Sequence, residues 1–450
     1  MNIIIVGCSQ VGETLASQLV LEDNNITMID LSSSKIKDIT SRYDVMGVVG
    51  NGATRKTQVE AGIDDADLLI ALTDSDELNL LCCMIAKKTT KCRVIARVVS
   101  PEYNSETSYL KDELGLEMII NPELESAEEI ARILRFPSAI KIEPFAAGKA
   151  ELVTFRLPET SRMVGMWLKD VISHLKVNVL ISTVERDGNA FIPNGNFIFK
   201  SRDVISIVAS PKNAYDFFKK IDCNIQAVKD ILVVGGGDIT HYLCEMVGKS
   251  ISVKVIEKDL EICDELCTAF KNVTVINGDA ADQELLLEEG IASCGAFLAL
   301  NANDEENILL SLSAKNETKA KTITKINRAD YDNIVSHLDL DTVIYPKSIT
   351  SDMILRYVRA TKNTLGSNVE TMYNVIKGKV EASEFKVNEG SPITAAPLAQ
   401  LRFKKDVLVA AILRDGAVII PRGSDRIVEG DSVVIVSKLL ALRDIADILD

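Results

Sequence analysis

One feature constrains this chain more than any other: a glycine turn that is written twice. Asn2 to Gly12 reads NIIIVGCSQVG, and Ile231 to Thr240 reads ILVVGGGDIT. Each is an apolar run, a tight turn and the start of a helical pattern; in the first copy Val11, Leu15 and Leu19 share a helix face. Gly7 and Gly235 lie 228 positions apart, and the offset recurs along the chain. Gly62-Ile63 match Gly290-Ile291, Asp76, Glu77 and Asn79 match Asp304, Glu305 and Asn307, and Tyr103 matches Tyr331. Farther on, Arg186, Asp187, Gly188, Pro193, Gly195 and Asp203 match Arg414, Asp415, Gly416, Pro421, Gly423 and Asp431. A repeat this regular marks a duplicated architecture and argues for two coupled sites.

Within the first copy, near-continuous apolar runs predict strands at 2–6, 25–29, 44–49, 67–72, 93–99 and 116–120. Helical patterns begin at 10, 32, 54, 77, 101 and 122. Strands without polar alternation are covered on both faces, as in a parallel sheet wound with helices. From 138 the grammar changes. ELVTFRL reads as a strand, VLISTVERDGNAFIP as a hairpin turning at Asp187-Gly188, DVISIVAS as another strand and AYDFFKKI as a closing helix. Asp-Gly suits a type I′ turn because both positions need positive φ. The fold class is therefore α/β: two Rossmann-like doubly wound parallel-sheet domains, each followed by a small α+β domain. The expected limits are 1–137, 138–223, 229–362 and 363–450. At roughly 100–150 residues per domain, 450 residues hold three or four such units.

Composition excludes several function classes. A net charge of −15 argues against a nucleic-acid footprint, which needs a basic face. No apolar run reaches about 18 residues, so no membrane span is expected. The N-terminus lacks the basic region and cleavage pattern of a signal peptide, and a cytoplasmic location is expected. Nine cysteines without a CxxC, beside three histidines, fit reduced buried residues rather than a metal site.

The chemistry concentrates at the turns. Gly7-x-Ser9-x-x-Gly12 departs from GxGxxG by one serine, small enough to let the backbone approach a pyrophosphate. Gly235-x-Gly237-x-x-Thr240 lacks the third glycine, and Asp238 adds a charge beside the expected phosphate. Asp30 and Glu257 end the second strands, where an acid takes both ribose hydroxyls and repels a 2′-phosphate. That favours NAD, ATP or ADP over NADP. Thr73, Asp74 and Ser75, with Asn301, Ala302 and Asn303, fall at the carboxyl edge where such sheets bind ligands. Asp76 and Asp304 read as caps of the following helices. Arg97 and Lys325 end the fifth strands, placed to meet a phosphate or to pair with a neighbouring acid.

With these residues in view, the chain resembles the TrkA family, the cytosolic regulatory subunits of Trk potassium-uptake systems. The likeness covers essentially the whole chain: IIIVGCSQVGETLA, VVGNGA, ALTDSDELN, ARVVSPEY and NPE, then VVGGGDI, GDAADQELL and LRDGAVIIPRGSDRIVEGDSVVI. It implies tandem RCK (or KTN) nucleotide domains, each followed by an RCK-C domain, that bind NAD(H) and ATP or ADP and perform no catalysis. It further implies a homotetrameric ring docked on a potassium-translocating integral membrane subunit, peripheral to the inner face of the cell membrane. The site residues it implies are Gly7, Cys8, Ser9, Gln10, Val11, Asp30, Thr73, Asp74 and Arg97, then Gly235, Gly236, Gly237, Asp238, Ile239, Glu257, Asn301 and Lys325. This chain departs from the family pattern at Ser9, Asp238 and Thr240.

The reading from another class is an NAD-dependent oxidoreductase. It needs a proton donor or base near the nicotinamide. His174, His241 and His337 have no counterparts in the other copy, whereas a duplicated enzyme should duplicate its catalytic residue. Two apolar helical stretches, with Ile130, Ile133 and Leu134, then Ile354, Leu355 and Val358, are expected to pack on a partner's helices.

Overall fold

The computed structural model describes residues 1–450 other than 105, 146, 147, 222–226, 329, 330, 336, 364–368, 377, 439–441 and 443. The expected domain limit at 223 lies outside the described residues. The chain forms two compact units: Met1–Ile130 with Lys229–Leu355, and Ala131–Val228 with Arg356–Asp450.

The first unit contains two lobes. Lobe one comprises β1 (Asn2–Val6), α1 (Gln10–Val20), β2 (Asn25–Asp30), α2 (Ser33–Arg42), β3 (Met46–Val49), α3 (Arg55–Glu60), β4 (Leu68–Ala71), α4 (Asp76–Thr89), β5 (Arg93–Arg97), α5 (Pro101–Asn104), α6 (Thr107–Leu114), β6 (Met118–Ile120) and the start of α7 (Pro122–Arg135). Its six parallel strands run in the order β3-β2-β1-β4-β5-β6. The order reverses between β1 and β4, which opens a crevice at the carboxyl edge. Ile3, Ile4 and Ile5 are at most 2% exposed, and full burial of such side chains contributes about 1.5–3 kcal/mol apiece. The segment expected as one helix from 101 is two, α5 and α6.

The second unit begins with the rest of α7 and continues through β7 (Ala139–Phe145), β8 (Ala150–Arg156), α8 (Leu168–Leu175), β9 (Leu180–Arg186), β10 (Asn189–Phe191), β11 (Val204–Ala209) and α9 (Pro211–Lys220). The chain then returns to the first unit as lobe two. Its strands are β12 (Asp230–Val234), β13 (Ser252–Glu257), β14 (Val273–Asn277), β15 (Ala296–Ala299), β16 (Lys321–Lys325) and β17 (Thr342–Ile344). Its helices are α10 (Asp238–Val247), α11 (Leu260–Ala269), α12 (Gln283–Glu288), α13 (Asp304–Glu317), α14 (Asp332–Val335) and the start of α15 (Pro346–Asn363). The sheet order β14-β13-β12-β15-β16-β17 repeats that of lobe one. The second unit is completed by β18 (Val369–Ile376), β19 (Val380–Lys386), β20 (Val407–Arg414), β21 (Ala417–Ile419) and β22 (Ser432–Ser437).

Two five-stranded antiparallel sheets make the second unit, ordered β10-β9-β11-β8-β7 and β18-β19-β22-β20-β21. They share a core in which Phe145, Leu152 and Val208 pack with Ala382, Ala410 and Val434. The Phe145 and Tyr373 rings meet edge-on at 5.0 Å. Asp187 and Gly188 have φ of 52° and 72°, and Asp415 and Gly416 48° and 77°, the paired positive values the hairpins require. The repeat also places a bidentate pair beneath each hairpin. Arg186 grips the buried Asp203 at 2.7 Å through both nitrogens, and Arg414 grips Asp431 at 2.8 Å. Each pair compensates an acid that is 1% exposed, which accounts for the matched positions.

One packing expectation is overturned. Ile130, Ile133, Leu134, Ile354 and Val358 are 0% exposed and Leu355 4%, all within the single chain. These helical stripes are intrachain core, so they offer no apolar face to a partner helix.

Candidate functional site

In each lobe the turn after the first strand is shaped by backbone crowding. Gly7 has φ 109°, and a Cβ there would sit 2.8 Å from the Leu72 carbonyl oxygen. Gly235 has φ 101°, and its Cβ would sit 2.8 Å from Asn301 Oδ1. A Cβ at Gly12 would come within 2.2 Å of the Gly7 carbonyl oxygen. Thr240 stands at that place in lobe two. Its buried hydroxyl donates to the Gly235 carbonyl at 2.6 Å, so a hydrogen bond replaces the close glycine contact. At the middle position a Cβ on Gly237 meets nothing within 4 Å, which explains why Ser9 is tolerated in lobe one. Ser9 Oγ accepts from Gly12 N at 3.4 Å and caps α1, leaving the hydroxyl proton free to donate elsewhere.

The two strand-end acids are tied to these turns. Asp30 accepts from Cys8 N and from Ser32 N, both at 2.8 Å. Glu257 accepts from Gly236 N at 2.6 Å and from Asp259 N at 2.8 Å. Each carboxylate therefore braces its glycine turn and keeps further lone pairs for hydroxyl donors. Burial and the charge of Asp30 push the Cys8 thiol up to about 12, so it is no nucleophile at neutral pH.

A buried asparagine, unassigned from the sequence, holds each carboxyl edge. Asn79 Oδ1 accepts from Thr73 N at 2.8 Å, while its Nδ2 donates to the carbonyls of Thr73 and Arg97. Asn307 repeats the clamp on Asn301 and Lys325. The matched pair Asn79/Asn307 was the available signal. Asp76 and Asp304, expected from their position to cap the following helices, do not: Ser75 and Asn303 cap α4 and α13. Asp76 instead accepts from Val99 N and Ser100 N, both at 2.9 Å, and Asp304 accepts from Asn327 N and Arg328 N at the same distance. A carboxylate buried at a helix start gains more from two loop N–H groups past the neighbouring strand than from its own helix.

A cavity of about 200 Å³ lies over the first turn, lined by Gly7, Ser9, Asp30, Thr73 and Asp74 together with Lys35 and the Gly50–Gly52 loop, whose part sequence reasoning missed. A second cavity of about 120 Å³ adjoins it through Ser9, Leu72 and Asp74. Val11, Arg97 and Glu123 line it from lobe one, and Asn327, Pro346 and Lys347 from lobe two. Arg97 pairs with Glu123 at 3.2 Å, so the ion-pair alternative is realised while the guanidinium still faces the cavity. Burial raises the Glu123 carboxyl above its ordinary value, opposed by Arg97.

In lobe two the charges differ. Asp238 is the first residue of α10, and burial raises its carboxyl, opposed mainly by His241. Burial lowers the Lys325 ammonium, opposed by Asp304, Glu123 and Asp238. Ile239 is buried at the helix start. His241 covers Phe270, ring centroids 4.8 Å apart. The lobes meet at Tyr242, whose hydroxyl donates to the Val99 carbonyl and accepts from Asn121 Nδ2, both at 2.8 Å. Among the described residues no group of three or more His, Cys, Asp or Glu could hold a metal, and no helix is long and apolar enough to cross a membrane.

Two doubly wound lobes, each with a glycine turn braced by a strand-end acid, define a tandem Rossmann-type protein. The sequence matches the TrkA-N domain over residues 3–122 and 231–346 and the TrkA-C domain over 152–222 and 382–450. The chain belongs to the TrkA family. The Trk system potassium uptake protein TrkA homolog 1 of Methanosarcina mazei is 31% identical over 454 residues, spanning 99% of both chains. The Trk system potassium uptake protein TrkA of Haemophilus influenzae is 31% identical over 440 residues, 97% of this chain and 95% of its own. Among solved structures, the GsuK RCK domain superposes with a TM-score of 0.64 at 14% identity, covering 98% of this chain and 93% of that one. The GsuK channel bound to NAD gives the same score and identity over 98% and 77%. These two show the shared fold.

Proposed function

We propose that the chain is the cytosolic nucleotide-sensing subunit of a Trk-type potassium uptake system, gating a potassium-translocating membrane protein without catalysis of its own. The observation that carries this reading is the first cleft, where a braced glycine turn, a ribose-side acid and an adjoining cavity faced by both lobes come together. The residues fit a nucleotide: the turn leaves no room for a Cβ at Gly7, and Asp30 stands where ribose hydroxyls donate. A ligand spanning both cavities touches both lobes, so its affinity differs between lobe arrangements. That difference is what shifts a population and a coupled gate.

The full-length relatives are named as potassium uptake proteins, and one fold neighbour was solved with NAD. In this reading NAD(H) and ATP or ADP are the ligands, the four domains end near 137, 223, 362 and 450, and the active form is a homotetramer on the inner face of the membrane. The oxidoreductase alternative lacks support: His174 bonds its own helix carbonyl at Asp170, and His241 covers Phe270. Calorimetry with ATP, ADP, NADH and NAD, paired with potassium uptake in cells carrying the cognate membrane subunit, tests the proposal. Absence of binding by all four would refute it.

A further inference from the structure

The helices α7 and α15 open at equivalent places, with NPE in one and YPK in the other. Their second residues are Glu123 and Lys347, so the repeat carries opposite charges at one position. Lys347 belongs to lobe two, yet its ammonium donates to Gln10 Oε1, at the first residue of α1, at 2.9 Å. The partner is a neutral amide, and among the described residues no carboxylate lies within ion-pair distance of this lysine. The contact therefore leaves a full positive charge on the wall of the cavity that adjoins the first cleft. Arg97, the other cation on that wall, is already paired with Glu123. Across the turn, Ser9 caps α1 and lines the same space.

We infer that Lys347 is the specificity-determining residue for the terminal phosphates of a nucleoside polyphosphate in the first cleft, reaching them from the opposite lobe. The inference rests on reading that cleft as a nucleotide site and deepens it. A ligand seated with its ribose at Asp30 and its first phosphate at the glycine turn extends past Ser9 and Asp74 into the adjoining cavity. Each added phosphate brings charge nearer Lys347. The ammonium then exchanges a neutral amide for an anion, and the ligand draws lobe two against lobe one. A monophosphate ends at the turn and gains nothing from the lysine.

The test uses the full-length protein titrated calorimetrically with AMP, ADP and ATP. Lys347→Gln is expected to weaken ATP at least about tenfold, to weaken ADP less and to change AMP by less than about twofold, since a charge contact worth that much is one pKa-sized step of energy. Lys347→Arg keeps the charge and is expected to retain the ATP preference. Equal losses for all three nucleotides would show that the lysine only holds the lobes together, and unchanged ATP binding would equally overturn the inference. A second measurement needs no variant: ATP should slow acylation of Lys347 in the native protein, read by mass spectrometry, and AMP should not. Equal protection by both, or by neither, counts against it. A native protein that binds ATP while Lys347→Gln behaves normally sinks this inference alone. A native protein that binds none of ATP, ADP, NADH and NAD sinks the functional reading beneath it.

Discussion

Asp30→Asn separates two roles that the structure superimposes on one carboxylate. The acid accepts from Cys8 N and Ser32 N, both at 2.8 Å. An asparagine keeps one acceptor oxygen and turns an NH₂ toward the other N–H, so one charge-assisted bond of about 1.5–3 kcal/mol is lost and the turn loosens. The second role is exclusion of a 2′-phosphate. With a charge of −1.5 to −2 at about 5 Å from the carboxylate in a water-like dielectric, repulsion is about 1.2–1.7 kcal/mol, roughly tenfold in affinity. The native protein is therefore expected to bind NADPH about tenfold more weakly than NADH. In Asp30→Asn, NADH should weaken through the loosened turn while the NADPH-to-NADH ratio approaches one. Calorimetric titration of both nucleotides reads the two effects separately. If the variant loses NADH affinity but keeps the native ratio, the acid is only a brace, and the reasoning on ribose selectivity is refuted.

Other expectations follow from the same geometry. Arg97→Glu should abolish most ATP binding and its effect on potassium uptake, whereas Lys325→Glu should change ATP binding little; the opposite pattern in paired titrations would place the sensor in lobe two. Gly7→Ala, forced to φ 109° and 2.8 Å from the Leu72 carbonyl, should lower stability by about 1–3 kcal/mol, read as a fall in melting temperature without a matching change in Gly237→Ala. Burial raises the Asp238 carboxyl above its ordinary 3.8, so the folded chain favours its neutral form and this contribution to stability falls as pH rises through the raised value. Asp238→Asn should accordingly raise the melting temperature at pH 7, and the gain should vanish toward pH 3.5. Light scattering at micromolar concentration should report four times the 49.2 kDa chain mass; a lone 49.2 kDa species would refute the tetramer.

The chain's outline was legible because its signals are local. Six apolar runs without alternation could only be covered strands, and a glycine turn between strand and helix positions Gly7 and Gly235 whatever surrounds them. Asp30 and Glu257 were readable because each ends the strand next to its turn. The misreadings had one cause. Asp76 has the position of a cap, yet it bonds Val99 N and Ser100 N at the end of the next strand. Ile130 and Val358 lie in stripes that suit a partner helix, and periodicity does not say which surface covers a stripe.

By itself the sequence determined the duplication, the parallel sheets, the two braced turns and the hairpins at Asp187-Gly188 and Asp415-Gly416, all set by φ preference, side-chain period and neighbours a few residues apart. Only the tertiary structure decided which residues of one lobe stand at the other's turn. Tyr242 bonds Asn121 across 121 positions, and Lys347 reaches Gln10 across 337. Such contacts depend on how two finished lobes pack, and no local pattern of charge or apolarity encodes that register. Lys347 carries no such signal in the sequence; the packing places it on the wall of the cavity that adjoins the first cleft.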